Sequence, residues 1–307
     1  MSDHTSTYIN PLTDFGFKYI FGREADKDFT ISFLNALNIA PKPIVDLTFV
    51  DKENPGESED DRALIYDLHC ELEDKTKIIV EMQNRYQTNF DDRAIYYMAA
   101  DLYTQGQRGR DWGYKLIPVY GVFVMNFEWK DAAKQHLRED VCLYNMQTES
   151  VFSDKMKMTF LKIPLMVKDA EDCRTTLERW LYILKNMEKM EAIPQTFMRD
   201  PVFRNLGRVA RYAALSEKDK EAYKASLKAY RDAYAADEAA KELGRSEGLA
   251  QGLEEGLAQG LEKGLAQGLE KGRVEAFRNM VSFGISVDQI ASKYGMSAEE
   301  VLKAINA

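Results

Sequence analysis

The chain has 307 residues, of which 45% are hydrophobic and 11% aromatic, so it is long enough to bury a large core. Its formal net charge of −9 argues against indiscriminate binding to nucleic acid, although a local basic groove is compatible with that total. The three cysteines have neither the CxxC spacing of a zinc site nor the even count of a disulfide framework, which favours a reduced, cytoplasmic setting.

Residues 1–170 alternate helix-like and strand-like segments, which predicts an α/β domain. The segments "DFGFKYIFG" and "KDFTISFLNALN" carry apolar residues at helical spacing, and "PIVDLTFV" predicts a first strand. Residues 51–61 contain turn residues and six acids, which is typical of an exposed loop. The alternation continues with a helix in 92–105, a buried central strand in 114–127, and strand candidates in 141–146 and 156–165.

A period-two pattern runs through "ALIYDLHCEL" and "KIIVEMQ", with apolar residues at even positions and mostly polar residues at odd ones. The pattern predicts a hairpin with one face in the core and the other outside it. A three-residue turn at 73–75 would place Glu71 opposite Lys77 and Asp67 opposite Glu81. Opposed residues have Cβ atoms about 4.5–5.5 Å apart, so the two carboxylates repel unless they are protonated or bridged by a cation.

Hard divalent cations such as Mg²⁺ take oxygen ligands of this kind. The hairpin therefore predicts a metal site where its two strands end. The alternative is a solvated sheet face that carries acids by chance.

Three further regions follow the first domain. Residues 171–243 are predicted to be helical and often charged. In 244–272 glycine recurs every fourth residue, which indicates either a self-associating helix or a semi-flexible spacer. The polar residues of this repeat exclude a membrane span, and no other apolar run reaches the required length of roughly 18 residues. Residues 273–307 predict two short helices around Gly295, and the acidic second helix favours a packing or dimerisation cap over a DNA reader.

Three blocks in order carry a family resemblance: "NPLTDFGFKYIFG", the hairpin ending in "EMQ", and "RAIYYMAADLYTQGQRG" followed by "YKLIPVYGVFVMNF". An Asp, a short hairpin and Glu-x-Lys form the signature of PD-(D/E)xK nucleases, one branch of which carries Glu-x-Gln. Over roughly residues 8–165 the chain resembles the Rpn family of recombination-promoting nucleases, also labelled transposases. The resemblance implies a central mixed sheet flanked by helices, and a metal-dependent DNA endonuclease that promotes DNA recombination.

The resemblance also implies roles for the residues of the hairpin. Asp67 and Glu81 would ligate Mg²⁺, with Mn²⁺ or Ca²⁺ as alternatives, and the backbone carbonyl of Met82 would be a third ligand. Gln83 stands where the signature has Lys. Its amide can orient water but brings no positive charge.

The missing charge has two candidate sources, Lys18 in the first helix and Arg93 on the helix after the hairpin. Asp14 is a further candidate metal ligand, although a helix start or a surface position also accounts for it. The segment 105–115 is either a solvated loop between a helix and a strand or a DNA contact, for which its cations and aromatic ring suit phosphates and bases. The candidate residues there are Arg108, Arg110, Trp112 and Lys115.

Two other functions remain open at this point. Because Gln83 is uncharged and the chain is acidic, the protein could be a catalytically silent relative that binds DNA or a protein partner. Alternatively, the repeat 244–272 and the cap 273–307 assemble homo-oligomers, and the first domain is a scaffold.

Overall fold

The computed structural model describes residues 6–50, 53–54, 64–106, 113–127 and 136–306. The chain divides into two compact units, Met1–Tyr234 and Ala235–Ala307. Within the described ranges, no helix is both long enough and apolar enough to cross a membrane.

The strands are β1 (Leu47–Phe49), β2 (Glu53–Asn54), β3 (Leu64–Ile65), β4 (Leu68–Leu72), β5 (Lys77–Gln83), β6 (Val119–Met125), β7 (Arg138–Asn145) and β8 (Ser150–Lys162). The helices are α1 (Asp14–Phe21), α2 (Asp28–Ala36), α3 (Phe90–Tyr103), α4 (Thr176–Asn186), α5 (Pro201–Val209), α6 (Glu217–Ser282), α7 (Val287–Tyr294) and α8 (Ala298–Asn306).

Six strands form one mixed sheet in the order β1-β4-β5-β6-β8-β7. The three central strands β5, β6 and β8 run parallel, and the remaining neighbours pair antiparallel. The expected α/β fold, a mixed sheet flanked by helices, is confirmed. The predicted hairpin register is also confirmed, since Glu71 lies opposite Lys77 and His69 opposite Ile79.

One face of the sheet packs against α1, α2, α4 and α5. Trp180 on α4 is fully buried at the centre of this layer, where aromatic rings from α1, α2 and α5 surround it. The even-numbered side chains of the hairpin, among them Leu68, Cys70 and Val80, belong to the same core. This agrees with the period-two pattern.

The expectation that the odd-numbered face lies outside the core is wrong. Ile79 is buried in a second core with Phe90 and Met98 of α3, and His69 on the same face is only 7% exposed. The physical reason is the parallel pairing of β5 with β6. A parallel pair needs a crossover connection, here α3, and that helix covers the second face of the sheet.

Polar residues on this second face pair with α3. Asp101, which is only 2% exposed, has its Oδ2 3.1 Å from Nε2 of His69 and its Oδ1 3.5 Å from Nζ of Lys77. These contacts tie the end of α3 to both strands of the hairpin.

Helix α1 begins in a tight connection that fixes its position. The Thr13 hydroxyl accepts a hydrogen bond from the N–H of Gly16 at 3.0 Å and donates one to the carbonyl of Asn10 at 2.8 Å. A Cβ atom at position 16 would lie 2.0 Å from the Asn10 carbonyl oxygen, so only glycine fits.

In the second unit the repeat is helical throughout, as part of α6. Its six leucines from Leu249 to Leu269 are between 63% and 76% exposed. Beyond it, Phe277 packs with α7 and α8 in a small core, and α7 ends at Gly295, whose φ of +66° is readily adopted only by glycine.

We expect Asp101→Ala to lower the free energy of unfolding by about 3 kcal/mol, because it removes the buried carboxylate that pairs with His69 and with the half-buried Lys77. Chemical denaturation of the two proteins measures the difference. Asp232→Ala, which removes an exposed carboxylate, is the control and should change stability by less than about 0.5 kcal/mol. Equal effects of the two substitutions would contradict the prediction.

Candidate functional site

Two carboxylates close the open end of the hairpin. The last backbone pair recorded between β4 and β5 is Leu68 with Val80. Beyond that pair, side-chain oxygens replace backbone carbonyls as the acceptors. The N–H of Asp67 donates to Oε1 of Glu81 at 3.0 Å, and the N–H of Met82 donates to Oδ2 of Asp67 at 2.9 Å. The two carboxylates predicted to lie opposite each other are therefore held together by reciprocal hydrogen bonds to backbone.

The surroundings of this pair favour its protonated forms. Glu81 is 3% exposed, and burial together with the charge of Asp67 raises the pKa of Glu81 to about 8. Burial also raises the pKa of Asp67, against the hydrogen bond from Met82 and the charge of Lys18, which lower it. Both shifts favour loss of negative charge, so a bound cation would relieve the same repulsion.

Both predicted cations reach the pair. Nζ of Lys18 lies 3.5 Å from Oδ1 of Asp67 and also pairs with Asp14. Burial lowers the pKa of Lys18, but its hydrogen bond to Asp14 and the charge of Asp67 outweigh burial and raise it, so the side chain is protonated at neutral pH. Lys18 thus brings a permanent positive charge to the edge of the site.

Arg93 approaches from the opposite side. Its guanidinium lies 3.4 Å from Oε2 of Glu81. The side chain is held in place because its Nε donates to the Tyr97 hydroxyl at 3.1 Å and Nη1 donates to Oε1 of Gln87 at 3.0 Å. Helix α3, which covers the second face of the sheet, therefore also supplies a cation to the site.

Gln83 lies two residues after Glu81, half-buried, and a hydrogen bond from its side chain opposes the rise in the Glu81 pKa. It lines a cavity of about 270 Å³ together with Asp14, Asp67 and Met82. The buried Glu81 is not part of that lining, so Asp67 is the member of the carboxylate pair that faces the opening.

The donor set suits a hard divalent cation held through few protein ligands. Two carboxylates joined through hydrogen bonds to each other's stretch of backbone, with the Met82 peptide beside them, are oxygen donors of the type that Mg²⁺ and Mn²⁺ prefer. Among the described residues, no group of three or more His, Cys, Asp or Glu side chains is placed to hold a metal ion. Asp14 does not complete such a group, so most of the coordination shell would be water and substrate.

The cavity has a wall that the sequence did not reveal. Ser226 and Tyr230 of α6 line it, and the Tyr230 hydroxyl accepts a hydrogen bond from the Asn126 side chain at 3.2 Å. Nearby, the Tyr223 hydroxyl accepts from the N–H of Asn10 at 2.9 Å. The sequence held one signal for this wall. Tyr223 and Tyr230 are seven residues apart and so share one face of a helix, which is typical of a face that packs against the rest of the protein.

Only part of the expected DNA-contact segment can be located. Arg108, Arg110 and Trp112 lie outside the described residues, as does most of the acidic loop 51–61. Lys115 is exposed.

Comparison with known proteins assigns the chain to a family. A family model described as PD-(D/E)XK nuclease family transposase matches residues 11–240, well over half of the chain. The chain therefore belongs to this family, and the resemblance noted from its motifs is confirmed. Searches of curated proteins and of solved structures returned no match.

The raised pKa of Glu81 predicts how stability depends on pH without metal. Its folded pKa of about 8 exceeds the ordinary value of 4.5, so the stabilisation is complete below about pH 4.5 and is lost as pH rises towards 8. We expect the melting temperature in EDTA to fall over this range, and to fall less in Glu81→Gln.

Melting curves in EDTA between pH 5 and 9 test this, with Glu73→Gln in the exposed hairpin turn as control. In wild type and the control, Mn²⁺ at pH 8 should restore the melting temperature, because a bound cation takes over from the proton. Equal pH slopes in wild type and Glu81→Gln would contradict the assignment.

Proposed function

We propose that this member of the PD-(D/E)XK nuclease family hydrolyses phosphodiester bonds of DNA in a metal-dependent reaction, as an endonuclease that promotes DNA recombination. One observation carries the proposal. Reciprocal hydrogen bonds to backbone hold Asp67 and Glu81 together at the open end of the β4–β5 hairpin, with Lys18 3.5 Å from Asp67 and Arg93 3.4 Å from Glu81.

Each residue has a distinct task in this scheme. Asp67 faces the cavity and would hold the cation, with Glu81 behind it. When bound there, a divalent cation would supply positive charge and would lower the pKa of a water molecule. Gln83 would orient the attacking water through its amide. Lys18, which is protonated, would offset the negative charge that develops on the phosphate. Gln83 cannot do this, because its amide is uncharged.

The backbone hydrogen bonds of the two carboxylates contribute preorganisation. They fix one oxygen of Asp67 and one of Glu81 before substrate arrives. Oδ1 of Asp67 lies 3.5 Å from Lys18 and Oε2 of Glu81 lies 3.4 Å from Arg93, distances longer than those of direct hydrogen bonds of good geometry. A cation can therefore displace these contacts without breaking the hairpin.

A catalytically silent binding protein is the second candidate, and the same two ion pairs favour it. The charges of Lys18 and Arg93 nearly balance those of the two carboxylates, which lowers the electrostatic contribution to the affinity for a metal ion. In that case binding of DNA would not depend on Asp67.

Nicking of supercoiled plasmid decides between these functions. We expect nicking in Mg²⁺ or Mn²⁺ and none in EDTA, and a loss of about 100-fold or more in Asp67→Ala and Glu81→Ala, since each removes a ligand. Glu73→Ala, in the exposed turn of the same hairpin, should retain activity.

Lys18→Ala should lower the rate of nicking more than the affinity for metal, whereas Asp67→Ala should lower both. Absence of cleavage with either metal, or equal cleavage by all variants, would reject the nuclease. Retained DNA binding in that outcome would support the silent binding protein.

We further propose that the chain forms homo-oligomers through the repeat 244–272. The exposed leucines described above form an apolar stripe on α6 that no described residue covers, and the adjacent glycines would let a second helix approach closely. A four-residue period exceeds the 3.6-residue turn, so the stripe drifts by about 40° per repeat and a partner would follow it with a right-handed twist.

Replacing four repeat leucines, 253, 257, 261 and 265, by glutamine should reduce the oligomer to a monomer, because it removes apolar area while keeping residues of similar helix propensity. Size-exclusion chromatography with light scattering measures the mass. Replacing four polar residues of the same repeat, Gln251, Glu254, Gln259 and Glu262, by alanine is the control. An unchanged mass in the leucine variant would disprove association through this stripe.

A further inference from the structure

A second cavity in the first unit, of about 460 Å³, has a cationic lining. Arg204, Arg208 and Arg211 line it together with Tyr8, Gln195 and other residues, none of them acidic. Arg204 and Arg208 lie four residues apart on α5 and so share one face of the helix, and Arg211 follows the end of the helix.

The three guanidiniums are held by neutral groups. Arg204 donates to the Met198 carbonyl at 3.2 Å, Arg208 donates to the Asn205 side chain at 2.7 Å, and Arg211 donates to the Gly207 carbonyl at 3.3 Å. Within the described part of the chain, no carboxylate forms an ion pair with any of the three. In a chain with 50 acidic and 41 basic residues, three converging arginines without acidic partners are an unbalanced positive site.

The chemistry of the lining favours a phosphate. A guanidinium has five N–H donors in a planar fork that matches phosphate oxygens, and only one hydrogen bond of each is used here. The lining lacks a surface for stacking a base, because its aromatic residue, Tyr8, is only 2% exposed. The site therefore suits the backbone phosphate of a polymer better than a free nucleotide.

The cavity is linked to the candidate catalytic site by a short stretch of backbone. Tyr8 forms a β-bridge with Arg211, fixed by hydrogen bonds from Ile9 to Ala210 and from Tyr212 to Thr7. Thr13, five residues after Tyr8, lines the catalytic cavity. Five residues span at most about 17 Å, which is the rise of about five base pairs.

We propose that Arg204, Arg208 and Arg211 hold a backbone phosphate of the DNA substrate a few nucleotides from the scissile bond. This inference rests on the proposed nuclease function. Because phosphate contacts carry no sequence information, the anchor would position the duplex without selecting a sequence.

Binding of a 20-base-pair duplex tests the anchor, measured by fluorescence anisotropy across salt concentrations. Asp67→Ala serves as background so that the DNA stays intact. Adding Arg204→Gln, Arg208→Gln and Arg211→Gln should weaken binding at least 10-fold at 100 mM salt. It should also reduce the slope of log K against log salt by between about 1 and 3.

The matched control replaces Lys42, Lys155 and Arg174, three cations that are not buried, line neither cavity and lie outside the repeat, by glutamine, which changes the net charge equally. We expect it to change affinity less than 3-fold. Equal weakening in the two triple variants would show an effect of net charge and overturn the anchor. So would unaltered binding in the arginine variant.

Two further measurements separate the remaining outcomes. Arg211→Gln alone leaves α5 unchanged and should weaken binding several-fold, so the test survives if the triple variant fails to fold. Titration with pyrophosphate should give only millimolar affinity. Micromolar affinity with unaltered DNA binding in the arginine variant would assign the cavity to a small phosphorylated ligand.

The failure of the anchor and the failure of the nuclease are distinguishable. If wild type nicks plasmid and the arginine variant binds DNA as tightly as wild type, only the anchor is rejected. If wild type neither nicks nor binds DNA, the nuclease is rejected as well.

Discussion

The pairing of the buried Glu81 with the half-buried Asp67 is the constraint on which the rest of the site depends. The two carboxylates cannot both be ionised here without compensation, since neighbouring like charges repel strongly where water is partly excluded. The structure compensates in three ways: backbone N–H groups fix one oxygen of each, Lys18 and Arg93 approach the others, and the pKa of Glu81 rises to about 8. A divalent cation would replace the last of these with a direct ligand bond.

The fold supplies those compensating groups from three separate segments. Helix α1 brings Lys18, and Thr13 and Gly16 fix where that helix begins. Helix α3 brings Arg93 from one end while Asp101 anchors the other to His69 and Lys77. The same helix therefore both covers the sheet and carries the guanidinium that approaches Glu81.

An acidic chain can bind a polyanion when its cations are concentrated where the polymer passes. Lys18 and Arg93 lie beside Asp67 and Glu81. The cavity lined by Arg204, Arg208 and Arg211 is joined to the cavity at Asp67 by the backbone from Tyr8 to Thr13, which spans at most about 17 Å. Acids elsewhere would then limit non-specific association. Oligomerisation through α6 would add affinity by bringing several such sites to one DNA molecule.

The sequence by itself determined the hairpin register, the meeting of Asp67 with Glu81, and the family, because alternation of side chains across a strand and a short turn leave one register for the apolar face. It could not determine that the opposite face is buried too. Helix α3 covers that face because β5 and β6 pair in parallel, and this pairing joins strands that are distant in sequence. The cavity wall from Ser226 and Tyr230 and the convergence of three arginines on Tyr8 were likewise decided by tertiary structure alone. Local patterns fix which side chains share a face. Only long-range packing fixes what that face meets.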